Sequence, residues 1–332
     1  MSGSVLVTGA HGFIGSHLVD EFLDAGYRVR GLVTPLGQLD RLDGVRDAKG
    51  FETAPADLTD PESLSGTCDG IETVVHAAAR VADWGAWAAF ERVNVEGTRA
   101  LLSEAERAGV RRVVLVSSVA VHRYGGFRDA DPRTRPRDGG DFPYGRSKIL
   151  AEDAVLAADL EGVVVRPGLW PFGPRDANLA RLASAVRRGR LPLVDGGGAV
   201  INTAYVGNLV RGIRLAAERP EAAGQVYLIA DAGAPNWKEL LGELARLVGG
   251  RAPRRSVPGA VAVPVASAIE AIWRMLSPNR EPPLTRYRAG LMRRDVHFSI
   301  EAARRELGYE PLQTWREGLA ASVAALRGPE PR

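Results

Sequence analysis

The chain has 332 residues and a formal net charge of +3 at pH 7, so its charge gives no reason to expect a nucleic-acid partner. Apolar residues make up 45% of the sequence and charged residues 25%, which are ordinary values for a globular protein with a large core. The length exceeds that of a minimal domain and suits one large domain with a smaller lobe.

Cysteine usage and the start of the chain both bear on the compartment. Cys68 is the single cysteine, so no disulfide can form within the chain and a reducing compartment is indicated. A predicted strand begins at Ser4, and no basic and apolar leader pattern precedes it. We therefore expect a cytoplasmic protein.

Short β-branched runs alternate with longer helical patterns over the first half of the chain. The predicted strands are Val5–Thr8, Arg28–Val33, Thr73–His76, Val113–Ser117 and Gly162–Arg166. The predicted helices are Gly15–Ala25, Ala89–Ala108 and Tyr144–Ala157. This alternation is typical of βαβ units, and it predicts an α/β fold with a doubly wound parallel sheet.

The pattern loosens after Pro167. Loops are predicted at Leu169–Pro174 and Leu191–Val200, one more strand at Gln225–Ala230, and mainly helices beyond it. We expect residues 1–170 to form one domain, to which residues 204–230 return. Residues 171–203 and 231–328 are expected to form a smaller, mainly helical substrate lobe.

The segment Val257–Leu276 is mostly apolar, and Glu270 and Arg274 are its only charged residues. Pro258 and Pro264 interrupt it, and its neutral run is shorter than the roughly 18 residues that a membrane span needs. A buried or substrate-covering helix is the favoured interpretation, and no membrane span is expected. Contact with a membrane surface is the alternative.

A glycine-rich segment joins the first predicted strand to the first predicted helix. It reads Thr8-Gly9-Ala10-His11-Gly12-Phe13-Ile14-Gly15. Gly9 permits a tight turn, Gly12 allows the backbone to approach a phosphate, and Gly15 allows the helix to pack closely on the strand. The N-terminus of the following helix offers N–H groups to phosphates. The segment therefore predicts a dinucleotide site.

The end of the second predicted strand bears on which nicotinamide cofactor is bound. A carboxylate at this position usually binds the ribose 2′-hydroxyl of NAD. The strand ends in Val33-Thr34 without an acidic residue, and Arg28, Arg30 and Arg41 lie near it in sequence. NADP(H) is therefore favoured as the cofactor, with Thr34 among its contacts, and NAD(H) is the alternative.

Tyr144 and Lys148 lie one turn apart at the start of a predicted helix. A nearby ammonium stabilises phenolate, so we expect Lys148 to lower the pKa of Tyr144 and to suit it to proton transfer with a carbinol. The chain carries only three lysines, Lys49, Lys148 and Lys238, among 43 basic residues. Retention of lysine at this position agrees with a chemical role that arginine would fill less well.

The glycine spacing, with Thr8-Gly9 ahead and Phe13-Ile14-Gly15 behind, resembles that of the extended short-chain dehydrogenases/reductases. This resemblance implies a Rossmann-type fold, a nicotinamide cofactor and a Ser-Tyr-Lys mechanism with no metal. Ser118, at the end of a predicted strand, would hold the substrate oxygen, and Ser117 would face the cofactor. His122 stands where tyrosine is more usual, and we interpret it as a supporting residue. Homodimers are usual among such proteins, so a homodimer is expected.

Further cofactor contacts follow from the same resemblance. Asp57 and Leu58 would contact adenine, and Asn94 would begin a helix packed beside that of Tyr144. The other residues implied to lie against the cofactor are Ala77, Ala78, Ala79, Pro167, Gly168 and Leu169. His76 is most simply interpreted as a packed residue at a strand end.

Features of the second half resemble the 3β-hydroxysteroid dehydrogenase and 2-alkyl-3-oxoalkanoate reductase subgroup. Val119-Ala120 stands where sugar-nucleotide dehydratases carry an acidic pair, and Val200–Asn208 lacks the arginine usual in sugar-nucleotide epimerases. That stretch instead contains Asn-x-x-Tyr-Val-x-Asn, from Asn202 to Asn208. The segments Pro282–Tyr287, Phe298-Ser299 and Ala303–Pro311 also resemble this subgroup.

The resemblance implies interconversion of a ketone and a secondary alcohol on a large hydrophobic substrate. Trp84, Trp87 and Trp170 would either line an apolar pocket or pack in the core. A sugar-nucleotide epimerase or reductase is one alternative. A non-catalytic sensor of NADP(H) is another, although a sensor has no need of Ser118, Tyr144 and Lys148 together.

Overall fold

The computed structural model describes residues 3–35, 37–123, 125–189, 191–277 and 280–327. In chain order the strands are β1 (Ser4–Thr8), β2 (Arg28–Val33), β3 (Phe51–Pro55), β4 (Thr73–His76), β5 (Arg112–Val116), β6 (Phe127–Ala130), β7 (Glu161–Pro167), β8 (Trp170–Phe172), β9 (Leu193–Val194), β10 (Thr203–Tyr205), β11 (Val226–Ile229), β12 (Ser256–Val257) and β13 (Val296–Phe298).

The helices follow the same order. They are α1 (Phe13–Asp24), α2 (Trp87–Phe90), α3 (Gly97–Arg107), α4 (Pro143–Ala157), α5 (Ala177–Arg187), α6 (Val206–Glu218), α7 (Trp237–Leu247), α8 (Gly259–Leu276), α9 (Arg286–Leu291), α10 (Glu301–Leu307) and α11 (Trp315–Leu326). A π-helical turn, Glu91–Glu96, joins α2 to α3.

Seven parallel strands form the central sheet in the order β3-β2-β1-β4-β5-β7-β11. The chain builds outward from β1 to β3 and then crosses back to place β4 on the other side of β1. Ligands of open α/β sheets bind beside such a reversal, at the carboxyl ends of the strands. The fold therefore directs attention to the residues that follow β1 and β4.

Both faces of the sheet are covered by helices. Val5 and Val7 of β1 pack into a core shared with α1 and α6, whereas Leu6 packs into a second core with α3 and α4. Because successive side chains of a strand point to opposite faces, a continuous apolar run is what a strand buried on both sides requires. The predicted doubly wound parallel sheet is confirmed, and Gln225–Ala230 contributes its seventh strand, β11.

Several sequence predictions were incomplete or wrong. The predicted strands omit β3, whose Phe-Glu-Thr-Ala-Pro sequence lies at the sheet edge and so needs little apolar character. The loops predicted at Leu169–Pro174 and Leu191–Val200 contain the short strands β8 and β9, which pair with β10 and β12. The single helix predicted over Ala89–Ala108 is interrupted by the π-helical turn.

A separate apolar core is built mainly from α5, α7 and α11. Helix α8 lies outside that core and packs against α9 through a small cluster that includes Ala262, Ala266 and Ala289. Only 22% of α8 is buried, so of the two predictions for Val257–Leu276 the buried helix is wrong and the substrate-covering helix stays a prediction. Among the described residues, α8 is also the one helix that is long and apolar enough to cross a membrane. The division of the chain into a domain and a lobe stays a prediction.

Candidate active site

The glycine-rich loop passes from β1 into α1 with no room for side chains. Gly9 has φ +66°, and a Cβ on it would lie 2.9 Å from Cα of Ala78. A Cβ on Gly15 would lie 2.0 Å from the carbonyl oxygen of Gly9. Gly12 is the N-cap of α1 and provides no side-chain cap, so the first turn of this helix can turn its N–H groups to an anion. This cradle fits the diphosphate of a dinucleotide.

A hydrogen-bonded chain joins the ends of β1 and β4 beneath the loop. The N–H of Ala78 donates to Thr8 Oγ1, which lies 2.8 Å from Nδ1 of His76, and His76 Nε2 lies 3.0 Å from Thr98 Oγ1. Burial lowers the pKa of His76 to about 3, so the ring is neutral at physiological pH. These contacts support the interpretation of His76 as a packed residue at a strand end.

Ser118 and Tyr144 meet at the carboxyl edge of the sheet. Ser118 follows β5 and caps a short 3₁₀ turn, with its Oγ accepting from the N–H of Ala120 at 3.1 Å. Tyr144, in the first turn of α4, lies close enough to Ser118 for that side chain to act on its phenol. Burial raises the pKa of Tyr144 to about 12, and Ser118 acts in the opposite direction. The phenol is therefore protonated at neutral pH.

Lys148 lies one turn further along α4 and is buried. Its Nζ donates to the carbonyl oxygen of Val116 at 2.8 Å. Burial lowers the pKa of Lys148 to about 8, while the charge of Glu152 raises it. Lys148 is not among the groups that shift the pKa of Tyr144, so the expected lowering of that pKa by its ammonium is not seen. The ammonium is bound to β5 instead, and burial dominates the energetics of the phenol.

Glu152 extends the same face of α4 by another turn and lies at the centre of a buried charge cluster. Its side chain is fully buried, accepts from the Ser117 hydroxyl at 2.5 Å, and pairs with Arg166 through two bonds of 2.6 and 2.8 Å. Ser117 is thus turned to Glu152, which corrects the expectation that it faces the cofactor. Glu152 itself was missed, although a single acid on the Lys148 face of a predicted helix is a recognisable signal.

His122 completes the cluster on the other side of Arg166. Nη1 of Arg166 donates to His122 Nε2 at 3.0 Å, so Nε2 is unprotonated and Nδ1 donates to the carbonyl oxygen of Pro136 at 2.9 Å. Burial lowers the pKa of His122 to about 4. Because both nitrogens are engaged and the ring is neutral, His122 supports the site and does not act as a base.

The chain also matches a family of known proteins. Residues 5–230 match the NAD dependent epimerase/dehydratase family, which is more than half of the chain. The chain belongs to this family.

Two relatives and one solved structure agree along nearly the whole chain. A 2-alkyl-3-oxoalkanoate reductase of Stenotrophomonas maltophilia (strain K279a) is 32% identical over 95% of this chain and 97% of that protein. A 3 beta-hydroxysteroid dehydrogenase/Delta 5-->4-isomerase of Mycobacterium tuberculosis (strain ATCC 25618 / H37Rv) is 34% identical over 96% of this chain and 88% of that protein. The crystal structure of gox2253 superposes with a TM-score of 0.81 and 28% identity, covering 98% of both chains.

The chain is therefore an NAD-dependent enzyme of the extended short-chain dehydrogenase/reductase type, and the resemblance given by its glycine spacing is confirmed. A nicotinamide dinucleotide is its cofactor. Thr8, Gly9, Gly12, Gly15 and Ala78 fit such a group, since they bring bare backbone to the switch point of the sheet.

The remaining cofactor candidates lie at the ends of several strands and at the start of α1. Phe13 and Ile14 begin α1, Ala77 and Ala79 flank Ala78 after β4, and Thr34 is exposed directly after β2. Asp57 follows β3 with Oδ1 bound to Thr59, and Leu58 is buried under α3. Pro167 and Gly168 end and follow β7, and Leu169 packs towards the lobe. Direct contact of these residues with the cofactor stays a prediction.

Asn94 joins two segments of the enzyme by hydrogen bonds of its side chain. It lies within the π-helical turn, where its Oδ1 accepts from the N–H of Arg80 at 2.7 Å. Its Nδ2 donates to the carbonyl oxygen of Arg80 and to Ser147 Oγ. Both amide hydrogens are thus used within the protein, and the side chain fastens the segment after β4 to α4 beside Lys148.

Arg41 lies at the glycine-rich loop, a position that could not be predicted from the sequence. Its Nη1 donates to the carbonyl oxygen of His11 and its Nε to that of Arg175, both at 3.2 Å. Nδ1 of His11 is buried without a partner among the described residues. Arg41 and His11 therefore lie together at the glycine-rich loop, near the exposed Thr34.

The tryptophans divide between two environments. Trp170 stacks on Phe172 with a centroid separation of 5.0 Å and belongs to the core of the lobe. Trp87 lies under the guanidinium of Arg146 and Trp84 under that of Arg274. Core packing is thus the better interpretation for Trp170, whereas Trp87 contacts an arginine of α4 and Trp84 an arginine of α8.

Proposed function

We propose that this enzyme interconverts a ketone and a secondary alcohol on a large hydrophobic substrate, using Ser118, Tyr144 and Lys148. The observation that carries the proposal is the placement of Ser118 and Tyr144 together at the carboxyl edge of the sheet, one turn from the buried ammonium of Lys148. Proton donor, oxygen-binding hydroxyl and cofactor site then meet at one edge of the sheet.

Each side chain has a distinct task in this reaction. The nicotinamide, when bound, supplies or takes up the hydride. Tyr144 donates its proton to the ketone oxygen, which Ser118 holds by a hydrogen bond. Lys148 uses one of its three hydrogens on Val116, which leaves two for the ribose hydroxyls of the cofactor. The high pKa of the free phenol suits reduction, because Tyr144 begins with its proton in place.

The substrate class follows from two kinds of support. The two relatives are named for action on a 2-alkyl-3-oxoalkanoate and on a 3β-hydroxysteroid, which are both large apolar molecules. The turn after Ser118 is Val119-Ala120-Val121, which offers no acid for the expulsion of water. An apolar oxo compound is therefore favoured over a sugar nucleotide.

A screen with one variant tests this proposal. Oxidation of NADPH and NADH is followed with 2-alkyl-3-oxoalkanoates, steroid ketones and UDP- or dTDP-sugars. Tyr144→Phe is expected to lower kcat by about 10²- to 10⁴-fold. Tyr27→Phe is the matched control, since its hydroxyl binds Glu218 on another face of the molecule. Turnover of sugar nucleotides alone would favour the epimerase alternative, and cellular function unchanged by Tyr144→Phe would favour the sensor.

A preference for NADP(H) belongs to the same proposal. Arg41 lies against the glycine-rich loop, and no carboxylate follows β2 to repel a 2′-phosphate. Arg41→Ala should raise the KM for NADPH by about tenfold or more, because a charge-assisted hydrogen bond is lost, and should leave the KM for NADH unchanged. Arg46→Ala, which breaks only a surface pair with Asp43, is the control. Equal effects on both cofactors would contradict the preference.

We also propose that the chain forms a homodimer and is located in the cytoplasm. A homodimer is tested by sedimentation equilibrium of the purified chain, and the location by fractionation of cells.

A further inference from the structure

Helix α8 reverses the usual polarity of a surface helix, because its buried face holds small residues and an acid and its exposed face is mainly apolar. Its buried positions are occupied by three small residues and one acid, Gly259, Ala262, Ala266 and Glu270. Apart from Arg274, its exposed large side chains are apolar: Val261, Val265, Ile272, Met275 and Leu276. Their spacings of three, four and seven residues place them in one stripe along the helix. Met275 is 85% and Leu276 75% exposed, which is unusual for such neighbours.

The surroundings of this stripe are strongly basic. Residues 251–294 contain nine arginines and two glutamates, a net charge of +7, whereas the rest of the chain carries −4. All nine arginines are exposed. Among the described residues, Arg251, Arg254, Arg255, Arg280 and Arg294 take part in no ion pair. The basic charge is therefore available to an outside partner.

The arginines lie at both ends of the apolar stripe. Arg255 precedes α8 by a few residues, and a Cβ on Gly259 would meet the side chain of Arg293. Arg274 and Arg280 lie at the other end. An apolar stripe bounded by exposed cations matches a bilayer with anionic headgroups, which offers acyl chains and negative charge at adjacent depths.

Helix α8 is placed to lie on such a surface and not to cross it. Its 18 residues span about 27 Å, slightly less than the roughly 30 Å of a hydrocarbon core. Glu270 accepts from the N–H of Arg286 at 2.7 Å and from its guanidinium at 2.8 Å, which fastens the inner face of α8 to α9. A spanning helix would have to break these bonds and bring a carboxylate into lipid.

The inner face of α8 is connected to the start of α4, where Tyr144 lies, by a series of contacts. Arg286, the partner of Glu270, is followed by Tyr287, whose ring packs edge-on against Phe142 at 5.0 Å. Phe142 is the N-cap of α4, two residues before Tyr144. The membrane-facing helix and the catalytic tyrosine thus belong to one packed unit.

We propose that α8 docks the enzyme in the plane of an anionic lipid surface, so that a lipophilic substrate passes from the bilayer to Tyr144. The passage of a substrate to Tyr144 rests on the proposed function, whereas the docking of α8 on lipid does not. Docking removes the need for the substrate to cross water between the bilayer and the enzyme.

Vesicle flotation of the purified full-length chain tests the docking. Vesicles of phosphatidylcholine alone are compared with an equimolar mixture of phosphatidylcholine and phosphatidylglycerol. We expect binding to the mixed vesicles that weakens as salt is raised, and a loss of about tenfold or more for Ile272→Ser/Met275→Ser. Leu312→Ser is the matched control, because Leu312 is 69% exposed outside α8. Arg254→Gln/Arg255→Gln should weaken binding to the mixed vesicles alone.

Each contrary result overturns the docking. Absence of binding to the mixed vesicles, or an equal loss for Leu312→Ser, excludes α8 as the contact. A dimer that Ile272→Ser/Met275→Ser converts to a monomer, with no vesicle binding, would assign the stripe to a second copy of the chain. Reduction of a water-soluble ketone is measured separately. Activity without vesicle binding refutes only the docking, whereas vesicle binding without any ketone reduction refutes only the proposed function.

Discussion

Helices α4 and α8 are anchored in the same way and differ in what their outer faces meet. Each carries a buried glutamate paired with an arginine of another element, Glu152 with Arg166 and Glu270 with Arg286. The outer face of α4 includes the charged, exposed Arg146 and Asp153, as expected of a helix in water. The outer face of α8 is apolar. A buried acid therefore fixes how a helix is seated without determining what its other side contacts.

The two anchors also differ in their access to water. The side chain of Arg166 is 2% exposed and that of Arg286 46% exposed. A charge that loses its partner in a closed site has no solvent to replace it, whereas one at a surface can be rehydrated. The cluster in α4 is thus the more sensitive of the two.

The largest expected effect is the loss of the acid in α4. Glu152→Gln should lower the free energy of unfolding by about 3–5 kcal/mol, because it leaves the guanidinium of Arg166 buried and unpaired. Glu270→Gln should cost only about 1 kcal/mol, because the amide oxygen can still accept from the N–H of Arg286 and its guanidinium can reach water. Urea unfolding at pH 7 measures both.

Glu52→Gln provides the baseline for this comparison. Glu52 pairs with Arg30 at the surface, so its loss should cost about 0–1 kcal/mol. Equal losses for Glu152→Gln and Glu270→Gln would show that exposure of the arginine does not set the difference.

A smaller effect is expected from the titration of Lys148, which also lies in α4. Burial lowers the pKa of Lys148 from 10.5 to about 8 in the folded state. Between these values the unfolded chain binds more protons, so the free energy of unfolding should rise with pH, by at most about 1.4 kcal/mol per pH unit. Lys148→Met should remove this rise. The difference between the two proteins over pH 8–10 isolates it, since Cys68 and the tyrosines titrate in both.

A difference that stays constant over this range would show that Lys148 keeps an ordinary pKa. Such a result would mean that Glu152 and the carbonyl oxygen of Val116 fully offset the cost of burying the ammonium.

The parts of the site that the sequence predicted are those set by local geometry. Strand, glycine turn and helix follow one another directly between Ser4 and Asp24, and four residues of helix place Tyr144 one turn from Lys148. The alternation of short β-branched runs with longer helical patterns was sufficient to predict the parallel sheet. These inferences need no knowledge of which distant segments pair.

The parts that could not be predicted depend on such pairing. Glu152 meets Arg166 only because β7 lies beside β5, under α4. In the same way, Asn202 bonds both backbone groups of Phe298, and Asn208 bonds Leu312 and Gln313. Asn202 and Asn208 therefore bind the C-terminal part of the chain by hydrogen bonds. The sequence shows the asparagine pattern and the C-terminal segments only as separate features.

Composition could not tell which side of α8 faces outward. An apolar segment with one acid reads equally well as a buried helix, because burial of its apolar side is the usual outcome. The structure buries Glu270 and small residues instead: Ala262 and Ala266 pack with Ala289 of α9, and Glu270 pairs with Arg286.

The smallest expected effect tests whether the outer face of α8 serves folding at all. Met275→Ser should change the free energy of unfolding in water by less than about 0.5 kcal/mol, because the side chain is already 85% exposed. Ala266→Leu, on the inner face, should cost about 1–3 kcal/mol through overpacking. Urea unfolding at low protein concentration measures both. A loss above about 1 kcal/mol for Met275→Ser would mean that a second copy of the chain buries this face in solution. If the loss is absent, selection for folding cannot account for methionine at this position, and the apolar stripe has to be explained by a contact that forms outside the folded chain.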